Sequence, residues 1–243
     1  ETAIETSKTT TVKVEITPFI ASSQVYFASS DASRVMVFPT QACASSQILT
    51  LTAGGMQDDS ATVDVRLSSS MGIICEQLHV AVYNSTVAEC FLHKVNGFNG
   101  AIPVAGANSI LKQAVVMIHD NGCHECTHDL SRGNIYDVDE SEEEHIDMVD
   151  NCHAIDNQDV FIIPSPGKVR TVSEGIKFGM HYSDPEIPVR WNILSEDASP
   201  LARYLAHEVF HTWATNHIND EENLMHENVA GESLKKAQWD LAH

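Results

Sequence analysis

The sequence predicts an α+β protein in two parts: an all-β, sandwich-like domain over residues 1–85, then a domain with a mixed twisted sheet and helices over residues 86–243. Three observations carry this. Short apolar or alternating runs rich in Thr and Val continue from Thr9 to about residue 95, the texture changes at the turn-rich Asn96-Gly97-Phe98-Asn99-Gly100, and an amphipathic helical stretch lies near the C-terminal end. A length of 243 residues suits one or two domains with a sizeable core.

In the first part, strands are expected at Thr11–Ile16, Gln24–Phe27, Arg34–Phe38, Gln47–Thr52, Ala61–Leu67 and Leu78–Tyr83, with Pro39, Gly54-Gly55 and Asn84-Ser85 as punctuation. Val87–Val95 reads as the first strand of the second part, Asn108–Ala114 as a helix and Val115–Ile118 as a buried strand.

Acidic residues number 34 against 14 basic ones, a net charge of −20 with His neutral. Such a surface excludes nucleic acid as a partner and disfavours anionic membranes. No run reaches the ~18 to 20 apolar residues of a membrane span. Six cysteines fit disulfides and a secreted, extracellular or periplasmic location. The first residue is Glu1 rather than Met, which implies a removed leader or a trimmed chain. A monomer is expected.

Two clusters could hold metals. Eight acidic residues between Asp137 and Asp150 read as a solvated loop, or as a Ca2+ site that lacks the Gly and final Glu of an EF-hand. Cys123-His124-Glu125-Cys126, with His128, Cys152 and His153, reads as disulfide cysteines or as a structural zinc site. Disulfides are favoured for a secreted chain. Cys43, Cys75 and Cys90 precede the boundary zone or fall near it and three cysteines follow, and an odd number on each side would require a cross-domain bridge or a free thiol.

The chemistry lies further on. Ser199 and Pro200 suit the N-cap and first turn of a helix running to Trp213. At ~100° per residue, Leu201, Ala202, Leu205, Ala206, Val209, Phe210 and Trp213 cover one half of the cylinder, while His207, Glu208 and His211 fall on the other. Imidazoles four residues apart reach one divalent cation, and a carboxylate beside them can take a proton from bound water. This HExxH pattern also arises by chance in unrelated helices, where the His residues are merely surface groups.

His217 follows His211 by six residues, and Asn223-Leu224-Met225 comes soon after, so His207 to His217 resembles the zinc signature and Met-turn of the metzincin metallopeptidases. Asn223-Leu224-Met225, Gly231, Leu234 and Gln238 resemble the tail of bacterial secreted metzincins, Asn108–Ile118 their first helix and second strand, and Val189–Leu194 their edge strand above the cleft. The strong motifs cover residues 200 to 243, with weaker pattern back to about 86. The resemblance implies a metzincin-like catalytic domain with active-site helix, Met-turn and C-terminal helix. It implies one catalytic Zn2+ held by His207, His211 and His217, Glu208 as general base, Met225 as an apolar floor, and a protein or peptide substrate. Backbone near Ile193 or Leu194 would bind that substrate by strand addition.

Two positions depart from the family. Ala214 stands at the usual Gly, where the chain must turn sharply, so Ala214 or Asn216 is expected to be left-handed. Glu227 stands at the Tyr of astacins and serralysins, leaving His226 as an auxiliary candidate or a plain turn residue. Glu227 and Glu232 suggest a preference for basic or polar side chains. The rival reading is a non-catalytic binding or toxin-like protein on the same scaffold, with the N-terminal β domain as an adhesion or targeting module.

Overall fold

The computed structural model describes the chain except residues 18–23, 56–59, 97, 128–134, 138–151, 153–157, 164–167, 172–174, 184–189, 215 and 227–230. The acidic block from residue 138 onward, His128, His153, Val189 and Glu227 thus lie outside the described residues.

Among the described residues, seven strands precede residue 84: β1 (Thr2–Glu5), β2 (Thr9–Glu15), β3 (Val25–Ser29), β4 (Val35–Phe38), β5 (Ser46–Ala53), β6 (Ser60–Leu67) and β7 (Ile74–Tyr83). They form two sheets, β1-β7-β6-β3 and β2-β5-β4. Val25 and Phe27 on β3, Val63 on β6 and Val80 and Val82 on β7 meet Leu49 and Leu51 on β5 in one shared core. Alternation in each strand supplies this inner face. The short β1 escapes the sequence reading and pairs parallel to β7.

A five-stranded sheet of order β14-β15-β11-β8-β9 follows, from β8 (Thr86–Val95), β9 (Val116–Cys126), β11 (Gln158–Ile163), β14 (Gly179–Ser183) and β15 (Arg190–Ser195). β8, β9, β11 and β15 run parallel, while β14 is antiparallel at the edge. Between β8 and β9 the chain crosses over through α1 (Val104–Leu111) and a 3-10 turn at Lys112–Ala114, as parallel pairing requires. A separate three-stranded sheet joins β10 (Ile135–Asp137), β12 (Lys168–Thr171) and β13 (Gly175–Lys177).

Both faces of the large sheet are covered, so its strands carry unbroken apolar runs. Leu92, Val160, Ile162 and Leu194 pack with α1 and with α2 (Leu201–Phe210). Phe161, Ile163, Trp191 and Ile193 face the other way, beside Val95 and the Cys126–Cys152 disulfide. Helix α3 (Lys236–Ala242) closes the first face through Trp239. Tyr83 hydrogen-bonds Asp240, and its ring stacks on His243 at 4.4 Å, so α3 is tied to the end of β7.

The structure corrects several expectations. Arg190–Ser195 is not the edge strand: β11 lies on one side of it and β14 on the other, so the backbone at Ile193 and Leu194 is already paired. The edge is Gly179–Ser183. Pro200, not Ser199, caps α2, which ends at Phe210, not Trp213. Cys126 is joined to Cys152, which removes it as a zinc ligand, while Cys43 and Cys75 are exposed thiols and Cys90 a buried one. Burial pushes the Cys90 thiol up to about 12. No helix among the described residues is long and apolar enough to cross a membrane.

Candidate metal centre

Helix α2 buries Leu205, Ala206, Val209 and Phe210 against the sheet, as its apolar stripe predicts. Its polar face is also enclosed, with His207, Glu208 and His211 at 2%, 4% and 9% exposure. The chain then leaves the helix through tightened bonds, Thr212 N–H to Val209 O and Trp213 N–H to Phe210 O, both spanning three residues. Ala214 is not among the residues of positive φ, so the left-handed turn expected at the usual Gly is not made at that residue.

His217 thereby returns to α2 as an exposed third imidazole. One ring nitrogen from each of His207, His211 and His217 falls within 4.8 Å of the others. His207 Nε2 lies 3.1 Å from His211 Nε2 and 3.3 Å from His217 Nε2.

Main-chain oxygens fix two of these rings. His207 Nδ1 donates to Leu224 O at 2.7 Å and His211 Nδ1 to Ala214 O at 3.0 Å. A carbonyl can only accept, so each Nε2 of this pair presents a lone pair to the other. Burial is the main cause that pulls His207 down to about 4 and His211 to about 3, with neighbouring histidines adding to it and the carbonyl bonds opposing it. Both are therefore neutral at pH 7, as metal ligands must be. Lone pairs that close repel unless a cation sits between them. The spacing matches the ~3.3 Å edge of a tetrahedron with ligands at ~2.0 to 2.1 Å, and imidazole is a donor zinc prefers. The residues fit a divalent zinc-type ion.

The turn after His217 supplies the His207 anchor. Asn223 and Gln238, both buried, form a paired amide with bonds of 2.8 and 3.0 Å, and Asn223 Oδ1 also accepts from Met225 N–H at 2.9 Å. Leu224 N–H bonds Ser233 O at 2.8 Å. A Cβ on Gly231 would strike the Glu222 carbonyl carbon at 1.9 Å, so only glycine lets the two chain segments meet. Met225 is fully buried within the core shared with α2. His226 is also buried, close enough to His207 to contribute to its lowering. Glu232 pairs with Arg203 at 3.0 Å.

Glu208 lies against Gly179 of edge strand β14, where an added Cβ would meet its Oε1 at 2.5 Å. Two residues along is His181, which the sequence reading missed. Its ring stacks near His211, with centroids 5.8 Å apart, and its Nδ1 lies 2.9 Å from Asn192 Oδ1. Burial lowers its pKa, against the Asn192 bond. No spacing motif marks a lone His on a short strand; the available signal is a polar Asn inside the apolar run Trp191-Asn192-Ile193-Leu194.

No family model matches the sequence, and no curated protein does. Among solved structures, the chain is similar to archaemetzincin from Methanopyrus kandleri, with a TM-score of 0.43 and 13% identity over 65% of this chain and 93% of that one. It is also similar to a zinc-dependent peptidase from Methanocorpusculum labreanum, with a TM-score of 0.35 and 15% identity over 63% of this chain and 100% of that one. The side-chain geometry, rather than either likeness, carries the functional reading.

Proposed function

We propose that this protein is a zinc-dependent endopeptidase of metzincin type, secreted and monomeric, with residues 1–85 as a sandwich-like accessory domain and residues 86–243 as the catalytic one. The carrying observation is the convergence of three imidazole nitrogens within 4.8 Å beside a buried glutamate on the same helix.

The Nε2 atoms of His207, His211 and His217 would hold the zinc. When bound, zinc supplies Lewis acidity, which acidifies water and polarises the scissile carbonyl. Glu208 takes the proton of the attacking water on a carboxylate oxygen, as hydroxide adds to the carbonyl carbon. It then delivers that proton to the amide nitrogen as the C–N bond breaks. Leu224 O and Ala214 O keep His207 and His211 in the metal-facing tautomer throughout. Met225 packs beneath as an apolar floor. β14, which among the described residues pairs with β15 alone, offers an edge for an extended peptide alongside Glu208.

The test is casein hydrolysis by the full chain with zinc, beside Glu208→Gln and a chelated sample. Wild type should cleave, Glu208→Gln should lose on the order of 10² to 10⁴-fold while keeping its zinc, and chelation should abolish turnover. Zinc bound without hydrolysis of casein or of a mixed peptide library would refute the reading in favour of a non-catalytic scaffold.

A further inference from the structure

We propose that His181 is a substrate-contacting residue, the acceptor for one main-chain N–H of a peptide lying along β14, and that Asn192 is the positioning residue that sets its ring. This rests on the peptidase reading and deepens it.

The register of β14 on β15 pairs Gly179 with Leu194 and His181 with Asn192. Leu194 packs in the core shared with α2, so Gly179 and His181 stand on the face turned toward that helix. Gly179 abuts Glu208, and His181, ~7 Å further along the strand, stands beside His211. The cleft wall thus carries a glycine facing the proposed base and a histidine facing a ligand.

Chemistry at His181 follows from its partner. A carboxamide oxygen only accepts, so His181 Nδ1 holds the hydrogen and Nε2 is left with a lone pair. His181 is outside the group of imidazoles whose nitrogens converge within 4.8 Å of one another, so it is not counted among the three candidate ligands. Its Nε2 lone pair pairs with an N–H and repels a carbonyl oxygen. An extended peptide presents these alternately, so one such acceptor fixes register.

Asn192 gives the independent observation. It is fully buried on a strand paired on both sides, and its Nδ2 has no hydrogen-bond partner. An apolar residue would fill this place without an unsatisfied donor, as Ile193 and Leu194 do beside it. What Asn contributes is the oxygen that holds His181.

The test uses the full zinc-loaded chain and a nonapeptide spanning the bond cut fastest in casein, with analogues N-methylated at one amide each. Affinity is read by calorimetry in the Glu208→Gln background, and zinc content by metal analysis. N-methylation at one position should weaken binding about tenfold, the worth of one hydrogen bond, when His181 is present. In His181→Phe the same methylation should add nothing, while unmethylated peptide binds about tenfold more weakly and one zinc per chain is kept. Asn192→Leu should show the same lost sensitivity, and His181→Leu serves if the Phe variant does not fold. Identical methylation profiles with and without His181 overturn the proposal, as does loss of zinc on its replacement. If wild type holds zinc yet neither cleaves casein nor binds peptide, the peptidase reading falls and this role with it. Cleavage by wild type with unchanged profiles overturns the role of His181 alone.

Discussion

Replacing Gly179 by Ala should separate stability from activity. An added Cβ would stand 2.5 Å from Glu208 Oε1 and 3.1 Å from both Glu208 Cδ and Leu194 Cδ2. Ordinary contact begins near 3.4 Å, so the carboxylate must withdraw by about 0.9 Å. The yielding atoms are the far end of a flexible side chain, and the Gly179 backbone is outside the left-handed region. The fold therefore loses little, and Ala restricts the unfolded chain in its favour by about 0.4 to 1 kcal/mol. The reaction loses much more, because misplacing a catalytic group by about 1 Å costs about 10²-fold, or ~2.7 kcal/mol of transition-state stabilisation. Peptide hydrolysis should thus fall about a hundredfold in kcat/KM, with zinc stoichiometry unchanged and Tm unchanged or slightly raised. An internally quenched peptide, metal analysis and a thermal melt read the three quantities. Full activity in Gly179→Ala would remove Glu208 from the proton transfers assigned to it. Loss of zinc or of fold would show that the contact is structural.

Asn223→Ala strips partners from buried Gln238 and from Met225 N–H, so it should cost about 3 kcal/mol in denaturant unfolding. It should also weaken zinc binding about tenfold or more through the Leu224 anchor of His207, read by competition with a chromophoric chelator. In the chelated protein, His207 and His211 are depressed to about 4 and about 3 from an ordinary 6.5, so the unfolded chain takes up protons first as pH falls. Their contribution is complete above pH ~6.5 and is lost on descent toward about 3. Tm should drop steadily from pH 7 to 4, and a flat profile would contradict the burial of these rings. Cys152→Ser opens a bridge spanning 26 residues and should cost about 3 to 4 kcal/mol, measured by denaturant unfolding without reductant.

Much of this architecture could be read from the sequence because periodicity reports burial. Leu205, Ala206, Val209 and Phe210 form one helical stripe and are all buried, and Leu49, Leu51 and Ala53 alternate as an inner strand face should. What failed was burial imposed from elsewhere. Nothing local to His207, Glu208 and His211 says that the turn around Leu224 and edge strand β14 will cover them. The edge strand was misplaced for a related reason: Trp191-Asn192-Ile193-Leu194 is apolar on both faces because both are covered, the mark of a central strand. The true edge, Gly179-Met180-His181, carries site residues instead of an apolar pattern. Gln238 was visible as a spaced residue, but its pairing with Asn223 links positions 15 apart that only the tertiary structure joins.

The anchors on His207 and His211 have a consequence for how such a site can change over time. Each is a main-chain oxygen, Leu224 O and Ala214 O, present whatever side chain occupies the position. No point substitution deletes either acceptor, so the electronic character given to these two imidazoles is insulated from drift at both residues. Insertion or deletion is a different matter, because one residue more or fewer between Phe210 and Asn223 would carry the carbonyls out of reach. Outside His211 and His217, the segment should tolerate wide variation in letters and almost none in length.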